Sequence, residues 1–385
     1  MAINPIYENL KIVKKLSAKQ FDKLMAQGFF RNGQSMFKTQ LMLMHQQLYT
    51  SISIRLDLQQ HEFSKSLRKI FKKNTQRFDV KINPLSFSEE KQELWEQHQH
   101  RFVGASTHSL YNHFCYEGYN NFDTWEVCVY ENNKLIAASF FDLGETSMAS
   151  ILGLFDQKYA KESLGLYTML TEITLAQKLG LRFYYPGYVL DQPSLFDYKL
   201  RLGNFQRYSW QSGRWRAYDT NYFPTVATHT TQQIEYLESV LTANQIGFSR
   251  KAYQFYLWKY FTEFPDYKWL YPSPILFVVG YTFGQNRGLL AISFDADTQQ
   301  FFLNIATVYV PVTNMFGTVA FAHDTLNTAY YVVDALKVEH LYIEDSSAEV
   351  VVAHLKELLN TDTTIAKLMF ERNSWCQLKK AISIS

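Results

Sequence analysis

The sequence predicts an α/β protein whose first half is a mixed-sheet layered domain and whose second half is a separate α+β module. Two patterns carry that expectation. Residues 147–202 read as strand, loop, helix and strand: 149–155 and 181–185 are almost continuously apolar, while Leu166, Met169, Leu170 and Ile173 recur at i, i+3, i+4 and i+7. Apolar runs suit strands covered on both faces, and a strand, a glycine-bearing loop, a helix and a parallel strand make one βαβ unit. Just upstream, 125–130, 135–143 and 148–155 are strand-like runs joined by the turn segments ENNK and GETS, as in an antiparallel meander.

Composition bounds the rest. The chain has 385 residues, 47% hydrophobic and 19% charged, enough for two domains with their own cores. A net charge of +2 makes any nucleic-acid surface local rather than global. Aromatic residues, at 16%, supply many faces for packing or stacking. Cys115, Cys128 and Cys376 are few, scattered and odd in number, which argues against a disulfide framework or a cysteine metal site and for a reducing compartment. With no apolar run long enough to span a membrane and no signal-peptide core at the start, the expected location is cytoplasmic.

In chain order, 17–27 reads as a short helix capped by Ser17 and ended by Gly28, and GFFRNGQSMFK as two small strands around Asn32-Gly33. In 49–58, Ile52, Ile54, Leu56 and Leu58 alternate as in a strand with one buried face. The helix 64–77 turns Leu67, Ile70 and Phe71 inward and projects Lys65, Arg68, Lys69, Lys72, Lys73 and Arg77 without one carboxylate on the helix. Such a run reads most often as a solvated face; the repulsion along this helix puts a polyanion grip on an equal footing with it. A strand at 79–83 and two polar helices follow; their histidines His98, His100, His108 and His113 match no metal-ligand spacing.

Strand, helices, three antiparallel strands, helix and strand together predict a sandwich of the N-acetyltransferase (GNAT) type. In that fold the acyl-donor site is the loop before the helix 163–179, here KESLGLY, with Ser163 as N-cap and Lys178 and Gly180 at the far end. Gly165 stands where free backbone N–H groups attract phosphate or an oxyanion, although a glycine there also serves packing alone. The acetyl-CoA signature with paired glycines is absent.

Four segments together resemble the arginyl-tRNA–protein transferases, including the bacterial relatives that place leucine on N-terminal Asp or Glu. These are GFFRNG at 28–33, SKSLRKIFKKN at 64–74, FDQKYAKESLGLYTMLTEITLAQKLGLRFYYPGYVL at 155–190 and DYKLRL at 197–202. The resemblance spans roughly 15–218. It departs in one respect: the family's N-terminal cysteine cluster is missing from FKTQLMLMHQQLYTSIS, so a metal or cluster of the family kind is absent or replaced.

The resemblance implies an enzyme whose partners are charged tRNA, its co-substrate, and a protein N-terminus, with no resident cofactor. It puts the backbone of Leu164, Gly165 and Leu166 on a terminal phosphate or oxyanion, with Ser163 at the same loop. Tyr167, Tyr185 and Tyr188 line the pocket, Gly187 shapes its turn, and Asp156 receives the incoming ammonium. Tyr198, Lys199 and Arg201 meet phosphate or an acidic acceptor. Arg68, Lys69, Lys72, Lys73 and Asn74 hold the acceptor stem. An acyltransferase with another donor (acyl-CoA or peptidoglycan-type) and a non-catalytic RNA-binding protein are the alternatives.

The expected domains are 1–60, an N-terminal hairpin region, 61–218, the transferase domain, and 222–385, of unknown role. In the last, 230–245, 321–337 and 348–359 read as helices and the segments ILFVVGYTF, GLLAISFD, FFLNIATVYVPV and HLYIED as strands.

Overall fold

A computed structural model describes residues 7–12, 14–99, 105–115, 118–219, 226–260, 269–282, 288–311, 319–321 and 327–362. Up to residue 219 the strands are β1 (Tyr7–Lys11), β2 (Phe30–Asn32), β3 (Ser35–Thr39), β4 (Leu41–Met44), β5 (Gln47–Asp57), β6 (Asp79–Pro84), β7 (Ala105–Thr107), β8 (Thr124–Glu131), β9 (Lys134–Leu143), β10 (Ser147–Phe155), β11 (Phe183–Leu190), β12 (Gln206–Ser209) and β13 (Arg214–Ala217). The helices are α1 (Ala18–Ala26), α2 (Lys65–Arg77), α3 (Glu89–Gln99), α4 (Leu110–Phe114) and α5 (Leu164–Lys178). The rest comprises α6 (Val226–Ala243), β14 (Ser249–Tyr253), β15 (Ile275–Thr282), β16 (Gly288–Asp295), β17 (Gln300–Val310), β18 (Val319–Phe321), β19 (Tyr331–Val332), β20 (Ala335–Asp345) and α7 (Ala348–Thr361).

The chain divides into two compact units: Glu8–Gln40 with Tyr49–Pro224, and Leu41–Leu48 with the described residues after 225. The first is built on a mixed sheet of order β13-β12-β5-β11-β10-β9-β8-β6. β8, β9 and β10 are the expected meander, and β10 and β11 pair in parallel across the α5 crossover. One face carries the core shared by α2 and α5, with Leu67, Tyr167, Leu170, Ile173, Met148 and Tyr184. On the other, α1 packs on Ala149 and Tyr185, and α3 and α4 pack on Leu152 and Leu154. Arg31 of β2 anchors the N-terminal hairpin there: it donates to Asp142 at 2.8 Å, to Thr124, to Asn120 and to the Phe114 and Gly33 carbonyls.

Three local expectations change. β5 is buried on both faces, Ser51 and Ser53 included, because it lies inside the sheet between β11 and β12. α5 is buried almost all round, between sheet and α2, and its Thr168, Thr171 and Thr174 hydroxyls donate to carbonyls one turn back. Asp197–Leu202 is a 3₁₀ turn, so Lys199 and Arg201 do not share a side: Lys199 is half-buried and Arg201 exposed.

The second unit holds a sheet of order β19-β14-β15-β16-β17-β20, with α6 on β16 and α7 on β17 and β20. The helix expected at 321–337 is not found among the described residues: they form the end of β18, a turn, β19 and the start of β20, while 322–326 lie outside the described residues. β-branched and aromatic residues from Tyr330 to Val333 suit the parallel pairing that β19 makes with β14. No helix among the described residues is long and apolar enough to cross a membrane.

Candidate active site

The site begins with a break in the sheet. β10 and β11 pair only from Ser147↔Phe183 to Ala149↔Tyr185. Beyond that β10 continues along β9 as far as Phe155↔Ala137, and β11 along β5 as far as Leu190↔Ser51. Two strands held by different neighbours must part, and a notch opens at their carboxyl ends, where open α/β sheets take ligands. The parting has a local cause: β11 carries a bulge between Tyr184 and Gly187, and Pro186 within it has no N–H to give a partner. Gly187, at φ +93°, completes the bend.

α5 starts beside β10. Tyr167 N donates to the Ser163 carbonyl, so the amides of Leu164, Gly165 and Leu166 are the free donors of the first turn. A Cβ on Gly165 meets only Phe155, at 3.8 Å, so the glycine is not sealed over. Gly153, exposed on the diverging half of β10, has open space within 4 Å. Sequence reasoning passed over Gly153, although a glycine inside an apolar strand is a signal of close approach.

Ser163 does not cap α5 with its side chain: it is left-handed at φ 55°, ψ 42°, and its hydroxyl makes no cap hydrogen bond. Leu164 is wholly buried, leaving only its backbone for a ligand. Tyr167 does not line a pocket; it is 1% exposed, with its hydroxyl on Thr75 and its ring on Phe71. Tyr185 faces the opposite side of the sheet, where Arg55 donates to its hydroxyl at 3.2 Å and Trp215 packs on its ring. Tyr188 is half-buried between Phe30 and Phe196, and burial pushes it up to about 12. Asp156 is committed locally: it caps the 3₁₀ turn Gln157–Glu162 through Lys158 N and stands 3.7 Å from Lys134.

Lys199 is the cation that points at this end of the sheet. Its ammonium donates to the Tyr188 carbonyl at 3.1 Å, lies 4.9 Å from the Phe196 ring centroid and 5.3 Å from that of Tyr188, and would touch a Cβ on Gly187. It has no carboxylate partner among the described residues, and burial pushes it down to about 8. Tyr198 beside it is 42% exposed.

Beneath the notch lies a buried acid that the sequence reading missed. Glu172 of α5 is inaccessible to solvent and accepts a hydrogen bond from Tyr184 at 2.7 Å, while Ser139 and Ser150 lie beside it. Burial pushes its carboxyl up to about 7. A glutamate beside Ile173 on an apolar helix face was the available signal.

α2 packs against α5, but its cations divide. Lys73 and Arg77 pair with Glu162, and Arg77 also with Glu131, so carboxylates distant in sequence compensate the C-terminal half. Asn74 is buried and donates to the Glu162 carbonyl at 2.8 Å, a support rather than a contact for a ligand. Arg68 donates to the Phe63 carbonyl, and Lys65, Arg68, Lys69 and Lys72 surround a shallow open concavity. Of the four histidines on this stretch, His113 is half-buried against Trp95 and Phe114, and burial with Arg31 nearby pushes it down to about 4, while His100 lies outside the described residues.

Residues 89–209 match the family model described as arginine-tRNA-protein transferase, C terminus. An aspartate/glutamate leucyltransferase of Campylobacter jejuni is 28% identical over 157 residues, 38% of this chain and 64% of that protein. One of Marinobacter nauticus is 24% identical over 54% of this chain and 85% of its own length. Arginyl-tRNA–protein transferase 1 of Saccharomyces cerevisiae is 22% identical over 50% and 49%. The chain thus spans under two thirds of the length of the first of these relatives. The matched segment runs from α3 to β12 and includes the parting strands, α5 and Lys199, and over it the chain is similar to the arginyl-tRNA–protein transferases.

Proposed function

We propose that the first unit is a GNAT-like aminoacyltransferase that moves leucine or arginine from charged tRNA to the N-terminal amine of a protein beginning with Asp or Glu, in the cytoplasm. The observation that carries the reading is the parting of β10 and β11 beside the free amides of α5. Relatives named aspartate/glutamate leucyltransferase and arginyl-tRNA–protein transferase support it.

The reaction is aminolysis of an ester. The amine nitrogen attacks the aminoacyl carbonyl, a tetrahedral oxyanion forms, the bond to the tRNA ribose oxygen breaks, and that oxygen leaves with the proton the nitrogen gives up. An α-amino group titrates near ~8, so a useful fraction is already neutral and placement supplies much of the rate. The amides of Leu164, Gly165 and Leu166 suit the oxyanion or the terminal phosphate. Lys199, short of acceptors, suits the acidic side chain of the acceptor, and Tyr198 a stacked base. Lys65, Arg68, Lys69 and Lys72 suit acceptor-stem phosphates, giving affinity without sequence reading. Asp156, Tyr167, Tyr185 and Asn74 serve as supports in this scheme.

The test is transfer of labelled leucine or arginine from charged tRNA to a peptide beginning with Asp or Glu. Transfer of either supports the reading, and none with both rejects it. K69E/K72E is expected to weaken tRNA binding while leaving the unfolding midpoint in place.

A further inference from the structure

The hairpin β12–β13 at the edge of the first unit's sheet is used by none of these roles. Its register sets Arg207 directly opposite Arg216, with Tyr208 opposite Trp215 and Ser209 opposite Arg214. Like charges facing one another across a ladder cost stability unless an anion lies between them. Arg214 and Arg216 are exposed and form no ion pair with a carboxylate among the described residues; Arg216 donates to the Ser212 hydroxyl, at 3.4 Å. Between 203 and 219 the sequence offers one acid, Asp219, against three arginines.

Strand alternation decides which way they point. Trp215 packs on Tyr185 and Arg55 and donates to the Ala26 carbonyl, on the α1 side of the sheet. Phe205 and Tyr218, bonded to one another at the open end of the hairpin, belong instead to the core under α2 and α5. Residues of their parity, Arg207, Arg214 and Arg216, therefore stand on the α2 and α5 side. That side also carries the notch helix and the α2 cations.

We propose that the β12–β13 hairpin is a second RNA contact, at which Arg207, Arg214 and Arg216 hold the phosphate backbone of the strand whose end enters the notch. The inference rests on the proposed RNA substrate. Guanidinium forks match phosphate oxygens, and successive phosphates of a polyanion can bridge two opposed arginines. A lipid surface fits less well, because the hairpin turns Tyr208 and Trp215 inward and offers arginines on its other side.

The test uses the full chain, uncharged tRNA and a salt series from 50 to 200 mM, with R214Q/R216Q, R214K/R216K and wild type compared. Removing two phosphate contacts is expected to lower the slope of log affinity against log salt by about 2 and to cost on the order of a hundredfold at the lowest salt, with the lysine pair keeping most of the slope. An unchanged slope and affinity in a folded R214Q/R216Q overturns the inference, and if wild type transfers normally the proposed function stands. Loss of binding to phosphatidylglycerol vesicles with intact tRNA binding also overturns it. A wild-type protein that neither binds tRNA nor transfers overturns both.

Discussion

Arg31 and Lys199 are both cations drawn out of water in the first unit, and they are built in opposite ways. Arg31 is saturated: its guanidinium reaches Asp142, Thr124, Asn120 and two carbonyls, and its ring neighbours Phe114 and Phe122 close the site. Lys199 has one acceptor, two aromatic faces and donors to spare. A buried charge with every donor matched holds a fold together. One left short of acceptors is costly to keep and marks a place where a ligand supplies the rest.

The comparison is broken most severely at Arg31. R31M leaves Asp142 buried and unpaired, and a loss of about 3–5 kcal/mol is expected in urea unfolding. A loss below about 1 kcal/mol means the network is not what anchors the hairpin.

Glu172 lies between the two cases, a fully buried acid whose Tyr184 bond only partly satisfies it. Held up to about 7, it keeps its proton in the folded chain where the unfolded chain has lost it. Stability therefore falls as pH rises from near 4.5 to about 7 and is flat beyond, at about 1.4 kcal/mol per pH unit. E172Q is expected to remove that slope in unfolding measured from pH 5 to 8; a slope that persists assigns it to another group.

G187A tests the bend that brings β11 to Lys199. A Cβ at φ +93° costs about 1–2 kcal/mol and meets the ammonium at 3.5 Å, so both stability and transfer are expected to drop. K199M is expected to change stability by under about 1 kcal/mol, because few bonds are lost, yet to abolish transfer to acidic N-termini. In wild type the same group is expected to make transfer decline as pH rises above about 8, where the ammonium loses its proton. A profile identical in K199M and wild type removes Lys199 from the site. Last, E162Q frees Lys73 and leaves Arg77 paired with Glu131 alone, and tighter tRNA binding is expected with an almost unchanged unfolding midpoint.

The sequence by itself determined the elements whose causes are local. The period of α5, the meander β8–β10, the Ser17 capping box and the Asn32-Gly33 turn follow from residues a few positions apart, and all are present. The segments of the family resemblance also lay open to reading, since a motif is local by nature. Tertiary structure alone decided which side chains meet. Alternation cannot say that β5 is covered twice, nor that Tyr185 faces away from α5 while Tyr184 faces it. The carboxylates that neutralise Lys73 and Arg77 lie 54 to 89 residues away in the chain, beyond any helical spacing rule. The notch itself is a consequence of two strands obeying different neighbours, and hydrogen-bonding partners across a sheet are set by the packing of the whole chain, not by the residues of either strand.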